Sequence, residues 1–453
     1  MITLSTALFL LHATIITVVS GFINRHVPEP YMDEIFHIPQ AQQYCWGAFN
    51  TWHPKITTLP GLYLFTAPLG LLSPKLCTTA NLRAINGIFG ILLYPLFLCV
   101  LKKVQPRING HEWTAFGLAL FPVLWFFNFL YYTDVGSALF VIGAYFWSLE
   151  RRYWLSALFS AISVLFRQTN IIWVSFILGT TTARILADRH IIRESPASSV
   201  RNLGNAVAAT FDFVSGAIQE CFNLIGTLYP YLFVLAGFFA FLHWNQGIVL
   251  GDRDHHVATA HFPLVYYYVS FAAGIASPAL FQFAHVAHFL KATTGNPVRQ
   301  ITTLSVLFLV LYTIRYNTIE HDFLLSDNRH FSFYVWKDIY GSHILTRYLL
   351  APAYLLAIHW CWTRLAELQT FIWCLGYWVA VGLMLVPTPL FDFRYFILPY
   401  VFMRLHVRNP TSGWRLWLEL IMETIVNATV GYIFVYQGFE WPQEPGIVQR
   451  FMW

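Results

Sequence analysis

Charged residues are scarce in this chain. Asp, Glu, Lys and Arg make up 11% of its 453 residues, against about 25% in a typical soluble domain. Hydrophobic residues make up 57%, so a soluble protein of this length would lack the polar surface to cover itself. The shortage of charge therefore excludes two or three soluble domains and predicts a polytopic membrane protein. Aromatic residues, at 18%, are typical of membrane-interface belts and of grooves for long lipids or sugars.

A large excess of basic residues is also missing. The net charge of +5 is small and dispersed along the chain, so nucleic acid is not an expected partner. Only six cysteines occur, and Cys99, Cys361 and Cys374 lie in apolar runs. Cys45 and Cys77 could meet in an oxidising compartment, but we expect this pair to remain free thiols. The sequence shows neither an internal repeat nor a low-complexity tract.

The spans are predicted from hydropathy. Met1–Phe22 lacks the basic start and the cleavage site of a signal peptide, which favours a first transmembrane helix. A crossing helix needs about 20 mostly apolar residues, and the chain has thirteen such windows, some of them short: Thr3–Ile23, Ala84–Leu101, Thr114–Leu130, Val135–Leu149, Tyr153–Phe166, Asn170–Ala183, Leu224–His243, Phe262–Phe281, Ile301–Ile314, Tyr348–Trp362, Thr370–Pro387, Tyr395–Val401 and Trp417–Gln437. The predicted fold class is an all-α polytopic membrane protein, a single integral-membrane domain over residues 1–453 with about 12–14 transmembrane helices.

One further apolar stretch, Ile56–Leu72, is interrupted by prolines and glycines and is predicted to be interfacial or re-entrant. With that assignment, roughly 15 of the 27 basic residues fall in loops on one side, which the positive-inside rule makes cytoplasmic. Residues 24–83 then form the first lumenal loop, with interfacial elements. Residues 188–223 form a cytoplasmic loop whose middle is either disordered or an interfacial helix.

The unusual polar clusters all fall on the side opposite to the basic loops. They are the first loop itself, YYTD (Tyr131–Asp134), FRQTN (Phe166–Asn170), GDRDHH (Gly251–His256), SDNRH (Ser326–His330) and FDFR (Phe391–Arg394). Chance would scatter six clusters over both sides. Their distribution predicts a single cavity that faces away from the cytoplasm.

Two adjacent acids, Asp33 and Glu34, begin the first loop's polar run. Neighbouring side chains diverge, so we expect only one of them to reach a reacting atom. A carboxylate that faces an alcohol can act as a general base. Glycoside hydrolysis needs two carboxylates, but a sugar phosphate has a good leaving group and needs one carboxylate plus positive charge. The alternative is that both acids cap a helix and are solvated.

Four arginines on the same side fit the positive charge. Arg253, Arg329, Arg394 and Arg167 carry guanidinium groups that match phosphate oxygens and stay charged. The alternative for the first three is local ion pairing with their acidic neighbours, which are Asp252, Asp254, Asp327 and Asp392. We expect at least some of the four to bind phosphate.

Two further patterns are given no chemistry. Asp252–Asp254 matches the short DxD pattern of metal-dependent nucleotide-sugar enzymes, but three letters are weak and the loop is on the wrong side for nucleotide sugars. The adjacent His255 and His256 seldom chelate one ion, so no metal site is predicted. Glu419 and Glu423 share one face of the last helix, and no role is assigned to them.

Taken together, several blocks resemble the eukaryotic terminal α-1,2-glucosyltransferases of the dolichol-linked oligosaccharide pathway. The blocks are YMDEIFHIPQAQQYC, ITTLPGLYL, FFNFLYYTDVGS, FRQTNIIW, GDRDHH…HFP, DNRHFSFYVWK and FRYFILPY, in order from Tyr31 to Tyr400. The resemblance implies a multi-span enzyme of the GT-C type in the endoplasmic reticulum membrane, with its active site facing the lumen. It implies glucose transfer from dolichyl-phosphate-glucose as the last step in assembly of the N-glycan precursor.

The same resemblance implies the partners and the site. The expected partners are dolichyl-phosphate-glucose, the dolichyl-diphosphate-linked oligosaccharide and membrane lipids, and the expected state is a monomer without a cofactor. The catalytic acids would be Asp33 and Glu34, with Asp33 preferred as base. The donor phosphate would meet Arg253, Arg329, His330, Arg394 and Arg167. Substrate-binding candidates are His37, Asp252, His256, Asp327, Asn328, Tyr132, Asp134 and Gln168.

The chain departs from the family pattern at two points. Trp52-His53-Pro54 stands where an acid is expected before the proline, which removes a candidate acid there. Asp254 is not part of the pattern, which weakens the DxD interpretation further. Two alternatives stay open: a related transferase that uses another dolichyl-phosphate sugar, such as mannose, and a transporter or channel-associated protein.

Overall fold

The computed structural model describes residues 3–193, 195–200, 202–410 and 413–453. The regular secondary structure of the described residues is helical apart from one short hairpin and two isolated bridges. It divides into two compact units: residues 1–107, 111–256 and 370–380 belong to the first, and residues 108–110, 257–369 and 381–453 to the second. The single integral-membrane domain predicted above stays a prediction.

The first unit contains the first eleven helices. They are α1 (Leu4–His26), α2 (Glu34–Cys45), α3 (Gly61–Leu72), α4 (Thr79–Val104), α5 (His111–Leu120), α6 (Pro122–Phe126), α7 (Thr133–Leu149), α8 (Tyr153–Phe166), α9 (Ile171–Asp188), α10 (Leu203–Gln219) and α11 (Cys221–Asn245).

The second unit contains the remaining helices and the hairpin. Its elements are α12 (Pro263–Leu280), α13 (Phe283–Thr294), α14 (Pro297–Asn317), α15 (Asp322–Ser326), α16 (Phe331–Val335), α17 (Thr346–Leu349), α18 (Ala351–Leu365), α19 (Phe371–Leu385, of which residues 371–380 belong to the first unit), α20 (Ile397–His406), α21 (Gly413–Tyr436), β1 (Phe439–Glu440) and β2 (Val448–Gln449).

Local signals explain where long helices begin. Thr78 precedes α4, and its side chain accepts a hydrogen bond from the Asn81 backbone amide. Asn296 does the same for the Arg299 amide at the start of α14, where Pro297 occupies the first turn. Both arrangements satisfy amides that the helix itself leaves unpaired, and proline suits the first turn because its missing N–H is not needed there.

One predicted span is broken. The window Thr114–Leu130 becomes α5 and α6 with a short 3₁₀ turn, and the two parts are bent by 58°. Pro122 begins the second part. Proline has no N–H to donate and disfavours helical geometry in the preceding residue, which accounts for a break at this point.

Six helices in the described residues are long and apolar enough to cross a membrane: α1, α4, α9 with its preceding turn, α11, α14 and α21. The bent pair α5–α6 makes a seventh if it is one span, and α3, α7, α8 and α19 are shorter apolar helices. The all-α polytopic architecture is thereby confirmed. A total of 12–14 spans requires the shorter helices to cross as well, and it stays a prediction.

Two ambiguous segments are also helical. α3 lies within the stretch predicted to be interfacial and has 12 residues. At 1.5 Å per residue it is about 18 Å long, shorter than a bilayer core of about 30 Å, which agrees with that prediction. α10 lies within the predicted cytoplasmic loop, so the middle of this loop is helical. It exposes Leu203, Phe211 and Ile218.

The cysteine prediction was wrong for one pair. Cys45, at the end of α2, and Cys77, shortly before α4, form a disulfide with Cα atoms 6.7 Å apart. They are 32 residues apart in sequence, and the fold of the intervening loop brings them together. Spacing alone does not reveal such an approach.

Candidate active site

The entry to α2 places the two acids in different environments. Met32 has a φ of 55°, in the left-handed region that a non-glycine side chain rarely adopts. Asp33 follows as the N-cap residue, and its side chain makes no capping hydrogen bond in the described structure. Such backbone outliers cost about 1–3 kcal/mol and cluster at functional sites. The side chain of Asp33 therefore does not cap the helix in the described structure.

Glu34 is completely buried, and its carboxylate is fully engaged. Arg83 of α4 donates from Nε to Oε1 at 2.8 Å and from Nη2 to Oε2 at 2.6 Å. The backbone amides of Tyr31 and Tyr131 donate to the same two oxygens at 3.0 and 2.6 Å. Both members of the ion pair are 0% exposed. This carboxylate is a fixed structural charge, because its lone pairs are already occupied by four donors.

Arg83 ties the pair to the surrounding loop. Its Nη1 donates to the carbonyl of Val27 at 2.6 Å and to Asn24 Oδ1 at 3.1 Å, and Nη2 donates to the carbonyl of Glu29 at 3.0 Å. Sequence reasoning missed this residue. The only signal was a lone arginine next to the apolar window that begins at Ala84.

Asp33 is only half-buried. Its backbone amide donates to the hydroxyl of Tyr132 at 3.0 Å. Its carbonyl accepts the amide of His37 one turn later, at 3.0 Å. Tyr132 is 2% exposed, and its hydrogen bond to Asp33 places the predicted YYTD cluster in contact with the first loop. Asp33 is thus more exposed than its neighbour Glu34, which is completely buried.

His37 belongs to the same group of side chains. Its ring Nδ1 is hydrogen-bonded to the hydroxyl of Tyr63 on α3, and its ring lies 6.0 Å from that of Tyr132. Burial, with smaller contributions that include the negative charge of Asp33, raises the pKa of Tyr63 well above its ordinary value. The Tyr63 hydroxyl therefore stays protonated and can donate to His37.

The YYTD and FRQTN clusters meet, as predicted for a common site. Arg167 donates from Nη2 to Asp134 Oδ1 at 2.8 Å and from Nε to Thr133 Oγ1 at 3.1 Å. Gln168 donates to the carbonyl of Thr57 in the first loop at 2.8 Å. Asp134 is buried, so Arg167 has a local acidic partner.

The GDRDHH loop packs against the first loop. The amides of Leu250 and Asp252 donate to the carbonyls of Thr57 and Pro54. A Cβ at Gly251 would overlap the carbonyl oxygen of Pro54, so glycine is required for this approach. Thus four of the six predicted clusters, the first loop included, are joined by direct hydrogen bonds within the first unit.

Asp252 is the acid that organises the GDRDHH loop. It pairs with His255 Nδ1 at 2.9 Å and with Lys55 Nζ at 3.5 Å, and its carbonyl accepts His256 Nδ1–H at 2.9 Å. Burial raises the pKa of Asp252, but the hydrogen bond and charge of His255, aided by Lys55, outweigh it and leave the pKa below its usual value.

Arg253 is exposed, and within the part of the chain that the structure describes its hydrogen bonds go to Asn245 rather than to the adjacent acids of the local alternative. Its Nη2 donates to the carbonyl and to Oδ1 of Asn245, both at 2.8 Å. One edge of the guanidinium is thereby oriented by a neutral residue. Within the described residues, no three His, Cys, Asp or Glu side chains converge on a metal site, and metal independence stays a prediction.

The SDNRH and FDFR clusters belong to the second unit. Arg329 pairs with Asp327 through Nε and Nη2, both at 2.8 Å, and Arg394 pairs with Asp392 at 2.7 Å. The local ion pairs foreseen as the alternative for these two arginines are thus present. Burial raises the pKa of Asp392, but the charges of Arg394 and His330 outweigh it and hold the pKa below its usual value.

His330 and Asn328 have partners that the motifs did not indicate. His330 Nδ1–H donates to the carbonyl of Trp453 at 2.9 Å. Asn328 Oδ1 accepts the indole N–H of Trp441 at 2.8 Å. Both partners come from the segment after α21, which the sequence analysis left without a role.

The chain is similar to a known protein family over most of its length. Residues 27–405 match the model of the DIE2/ALG10 family. Relatives named Dol-P-Glc:Glc(2)Man(9)GlcNAc(2)-PP-Dol alpha-1,2-glucosyltransferase are 37% identical in Mus musculus, over 95% of this chain and 94% of the relative, and 34% identical in Arabidopsis thaliana, over 96% and 97%. A Homo sapiens protein of the same name is 37% identical over 95% and 94%. The resemblance drawn from the motifs is thereby confirmed.

One solved structure is also similar, an archaeal oligosaccharyltransferase AglB from Archaeoglobus fulgidus in complex with an inhibitory peptide and a dolichol-phosphate. It is 13% identical with a TM-score of 0.38 over 94% of this chain and 55% of that chain. A TM-score of this size does not establish a shared fold. The polytopic all-α architecture, expected for the GT-C type, is supported instead by the six apolar helices and the family match.

Proposed function

The chain belongs to the DIE2/ALG10 family, and from this premise we propose that it transfers glucose from dolichyl-phosphate-glucose to the terminal glucose of a diglucosylated, dolichyl-diphosphate-linked oligosaccharide. The new bond is α-1,2, and the step is the last in assembly of the N-glycan precursor. Relatives from mouse, Arabidopsis and human carry this activity in their name. None of these names supports a mannosyltransferase or a transporter.

The reaction takes place in the endoplasmic reticulum membrane, with the first loop in the lumen. The disulfide Cys45–Cys77 lies in this loop. Disulfides persist in oxidising compartments such as this lumen and are rare in the cytosol. The disulfide therefore supports the side that the distribution of basic residues predicts.

Asp33 is the general base. The observation that carries this assignment is the contrast with its neighbour: the Glu34 carboxylate is 0% exposed and receives four donors, whereas Asp33 is half-buried. A base must reach the proton that it removes, and Glu34 is enclosed by Arg83 and two backbone amides. Glu34 instead fixes the start of α2, and with it the position of Asp33.

The chemistry is one displacement with inversion at the anomeric carbon. Asp33 takes the proton of the acceptor glucose 2-hydroxyl as that oxygen attacks C1 of the donor glucose. The bond from C1 to the phosphate oxygen breaks, and its electron pair leaves with dolichyl phosphate. A β-linked donor thus gives an α-linked product. The leaving phosphate needs neutralised charge rather than a proton.

Arg253 is the candidate in the first unit for that charge, because it is exposed and its nearest orienting partner, Asn245, is neutral. Arg167 is a second candidate in this unit, and its pairing with Asp134 orients its guanidinium. In the second unit, Arg329, His330 and Arg394 are candidates, and the pairing of the two arginines with Asp327 and Asp392 orients their guanidinium planes.

The remaining polar residues are assigned to the substrates or to the scaffold. His37, held by Tyr63, and His256, held by the Asp252 carbonyl, are assigned to sugar hydroxyls, because imidazole nitrogens can donate to or accept from them. Asp327 and Asn328 orient the SDNRH loop, and Gln168 ties FRQTN to the first loop. The enzyme acts as a monomer among membrane lipids and needs no cofactor.

A direct test uses the purified full chain with synthetic dolichyl-phosphate-glucose and a diglucosylated lipid-linked acceptor. The expected product gains one glucose in α-1,2 linkage, identified by mass and by digestion with a linkage-specific glucosidase. Dolichyl-phosphate-mannose as donor and a triglucosylated acceptor serve as controls and should give no product. Transfer of mannose, or of glucose in another linkage, would refute the proposal.

A further inference from the structure

The segment that follows α21, Gln437–Trp453, is an ordered part of the second unit. It contains the hairpin in which β1 and β2 pair antiparallel, with Phe439 opposite Gln449 and Glu440 opposite Val448. The turn includes Gly446 with a φ of 82°, where glycine is favoured. Gln449 and Met452 are buried, at 2% and 0% exposure. We call Gln437–Trp453 the clamp segment.

The clamp segment is fastened to the end of α21. Arg450 donates from Nη1 to the carbonyls of Phe434 and Val435 at 2.9 and 2.8 Å. The last carbonyls of a helix have no partner within the helix, and a cation near this end is also favoured by the helix dipole. The segment therefore folds back at the same end of α21 from which it emerges.

Beyond Arg450, the clamp segment pairs with the backbone of the SDNRH loop. The amide of Met452 donates to the carbonyl of Arg329 at 2.9 Å, and the amide of Phe331 donates to the carbonyl of Met452 at 3.0 Å. His330 and Met452 form a parallel bridge. The main-chain oxygen of Trp453 accepts His330 Nδ1–H at 2.9 Å, and His330 Nε2 lies 3.9 Å from Asp327 Oδ2.

Side chains of the hairpin hold the guanidinium of Arg329. Gln449 Oε1 accepts from Nη1 at 3.1 Å, while the indole ring of Trp441 lies with its centroid 4.5 Å from Cζ. The same indole donates to Asn328. Gln449 is itself oriented by Glu444, which accepts from its Nε2 at 2.8 Å. Asp327 supplies the remaining orientation through two hydrogen bonds.

We infer that Trp441 and Gln449 are positioning residues for Arg329, and that the clamp segment holds Arg329 and His330 toward an anionic phosphate group. This inference rests on the proposed role of Arg329 in binding the donor phosphate. The family match ends at residue 405, so the clamp segment lies beyond the matched region, although it completes a motif inside it. The Trp441 ring and the Gln449 amide restrict a long side chain that would otherwise sample many rotamers.

The test compares steady-state kinetics of full-length variants. Arg329→Ala should raise the KM for dolichyl-phosphate-glucose. Trp441→Leu, which removes both the ring and the N–H, should raise the same KM about 2- to 30-fold, the range of one cation–π contact. Trp441→Phe keeps an aromatic face and should give a smaller increase. In each variant the acceptor KM should stay unchanged. A loss of folded enzyme alone would lower the apparent kcat and leave both KM values unchanged, so a rise in the donor KM alone indicates a positioning effect.

Ile447→Ala is the matched control, since Ile447 lies in the same hairpin and is 56% exposed. It should leave the donor KM as in the wild type. If Trp441→Leu fails to fold, Gln449→Leu takes its place, and its donor KM should rise. Its thermal unfolding temperature shows whether this variant is folded.

Two outcomes overturn the inference in distinguishable ways. If Arg329→Ala raises the donor KM but the Trp441 and Gln449 variants do not, the clamp segment has no positioning role, and the phosphate role of Arg329 stands. If Arg329→Ala itself leaves the donor KM unchanged, Arg329 does not bind the donor, and the inference about the clamp segment falls with it. In that second case the transfer reaction and Asp33 are unaffected.

Discussion

At the scale of single residues, the chain uses two adjacent acids for different purposes. Asp33 and Glu34 are equivalent as letters in the sequence, and only their surroundings separate them. The surroundings come from Arg83 and from the amide of Tyr131, which are 49 and 97 residues away from Glu34. The sequence therefore predicts the acidic pair as a candidate site but does not decide which member is the base.

Arg83→Gln should destabilise the protein, because it leaves the Glu34 carboxylate buried without a cation. Removing one member of a buried ion pair costs about 3–5 kcal/mol. The expected result is a lower unfolding temperature of the detergent-solubilised protein. Arg25→Gln, at an exposed position at the end of α1, is the control. Adding Glu34→Gln to Arg83→Gln should recover part of the loss, since no unpaired charge then remains. An unfolding temperature equal to that of the wild type in Arg83→Gln would show that the pair is not structural.

Arg253→Ala should weaken use of the donor without affecting the acceptor. A hydrogen bond to a charged group contributes about 1.5–3 kcal/mol, which corresponds to roughly a 10- to 100-fold increase in donor KM. The adjacent exposed acid provides the control, because Asp254→Asn changes the charge of the same loop without touching the guanidinium. An unchanged donor KM in Arg253→Ala would remove this residue from the phosphate site.

At the scale of secondary-structure elements, apolar windows predicted helices well and backbone breaks poorly. The window Tyr153–Phe166 coincides with α8 residue for residue. The window Thr114–Leu130 conceals the 58° bend at Pro122, because hydropathy records side chains and not the backbone donor that proline lacks. Contacts between distant elements, such as those of the clamp segment, have no local signature in the sequence.

Helix α2 is fixed at both ends, and this fixes the site. Its first residue, Glu34, is bound by Arg83, and its last residue, Cys45, is joined to Cys77. Between them, Gln40 bridges the Thr51 carbonyl and the His53 amide at 2.8 Å each. A helix of 12 residues is marginal by itself, so these attachments determine its position.

Removing the disulfide should therefore loosen α2. The double variant Cys45→Ala/Cys77→Ala should lose about 2–4 kcal/mol of stability, measured as a lower unfolding temperature. A reducing agent should lower the activity of the wild type and have no effect on the double variant. Cys99→Ala/Cys221→Ala, at two free exposed thiols, is the matched control and should remain sensitive. Insensitivity of the wild type to reduction would contradict a role for this bond.

At the scale of the whole molecule, the sequence predicted the class of protein and the positions of its apolar helices. Each of the thirteen apolar windows overlaps a helix in the described residues, and six of these helices are long enough to cross a membrane. The low charge content and the apolar runs are enough to predict a helical membrane protein, because helices of apolar residues satisfy their backbone hydrogen bonds within a bilayer. The substrate did not follow from composition; it came from the motifs.

Thiol labelling should place the polar loops in the lumen. In a Cys99→Ser/Cys221→Ser background, single cysteines at the exposed positions Asn50 and Ser326 should react with an impermeant maleimide only after microsomes are permeabilised. A cysteine at exposed Ser198, in the predicted cytoplasmic loop, should react in sealed microsomes. Labelling of Asn50→Cys and Ser326→Cys from opposite sides would contradict the proposed topology.

The proton transfer assigned to Asp33 is tested most directly by the single-turnover rate of Asp33→Asn with both substrates saturating. General-base help contributes about 10²–10⁴ in rate, so a loss of this size is expected while the affinities for donor and acceptor are retained. Glu29→Gln, an exposed acid in the same loop, should react at the wild-type rate. Near-normal turnover by Asp33→Asn would contradict the account.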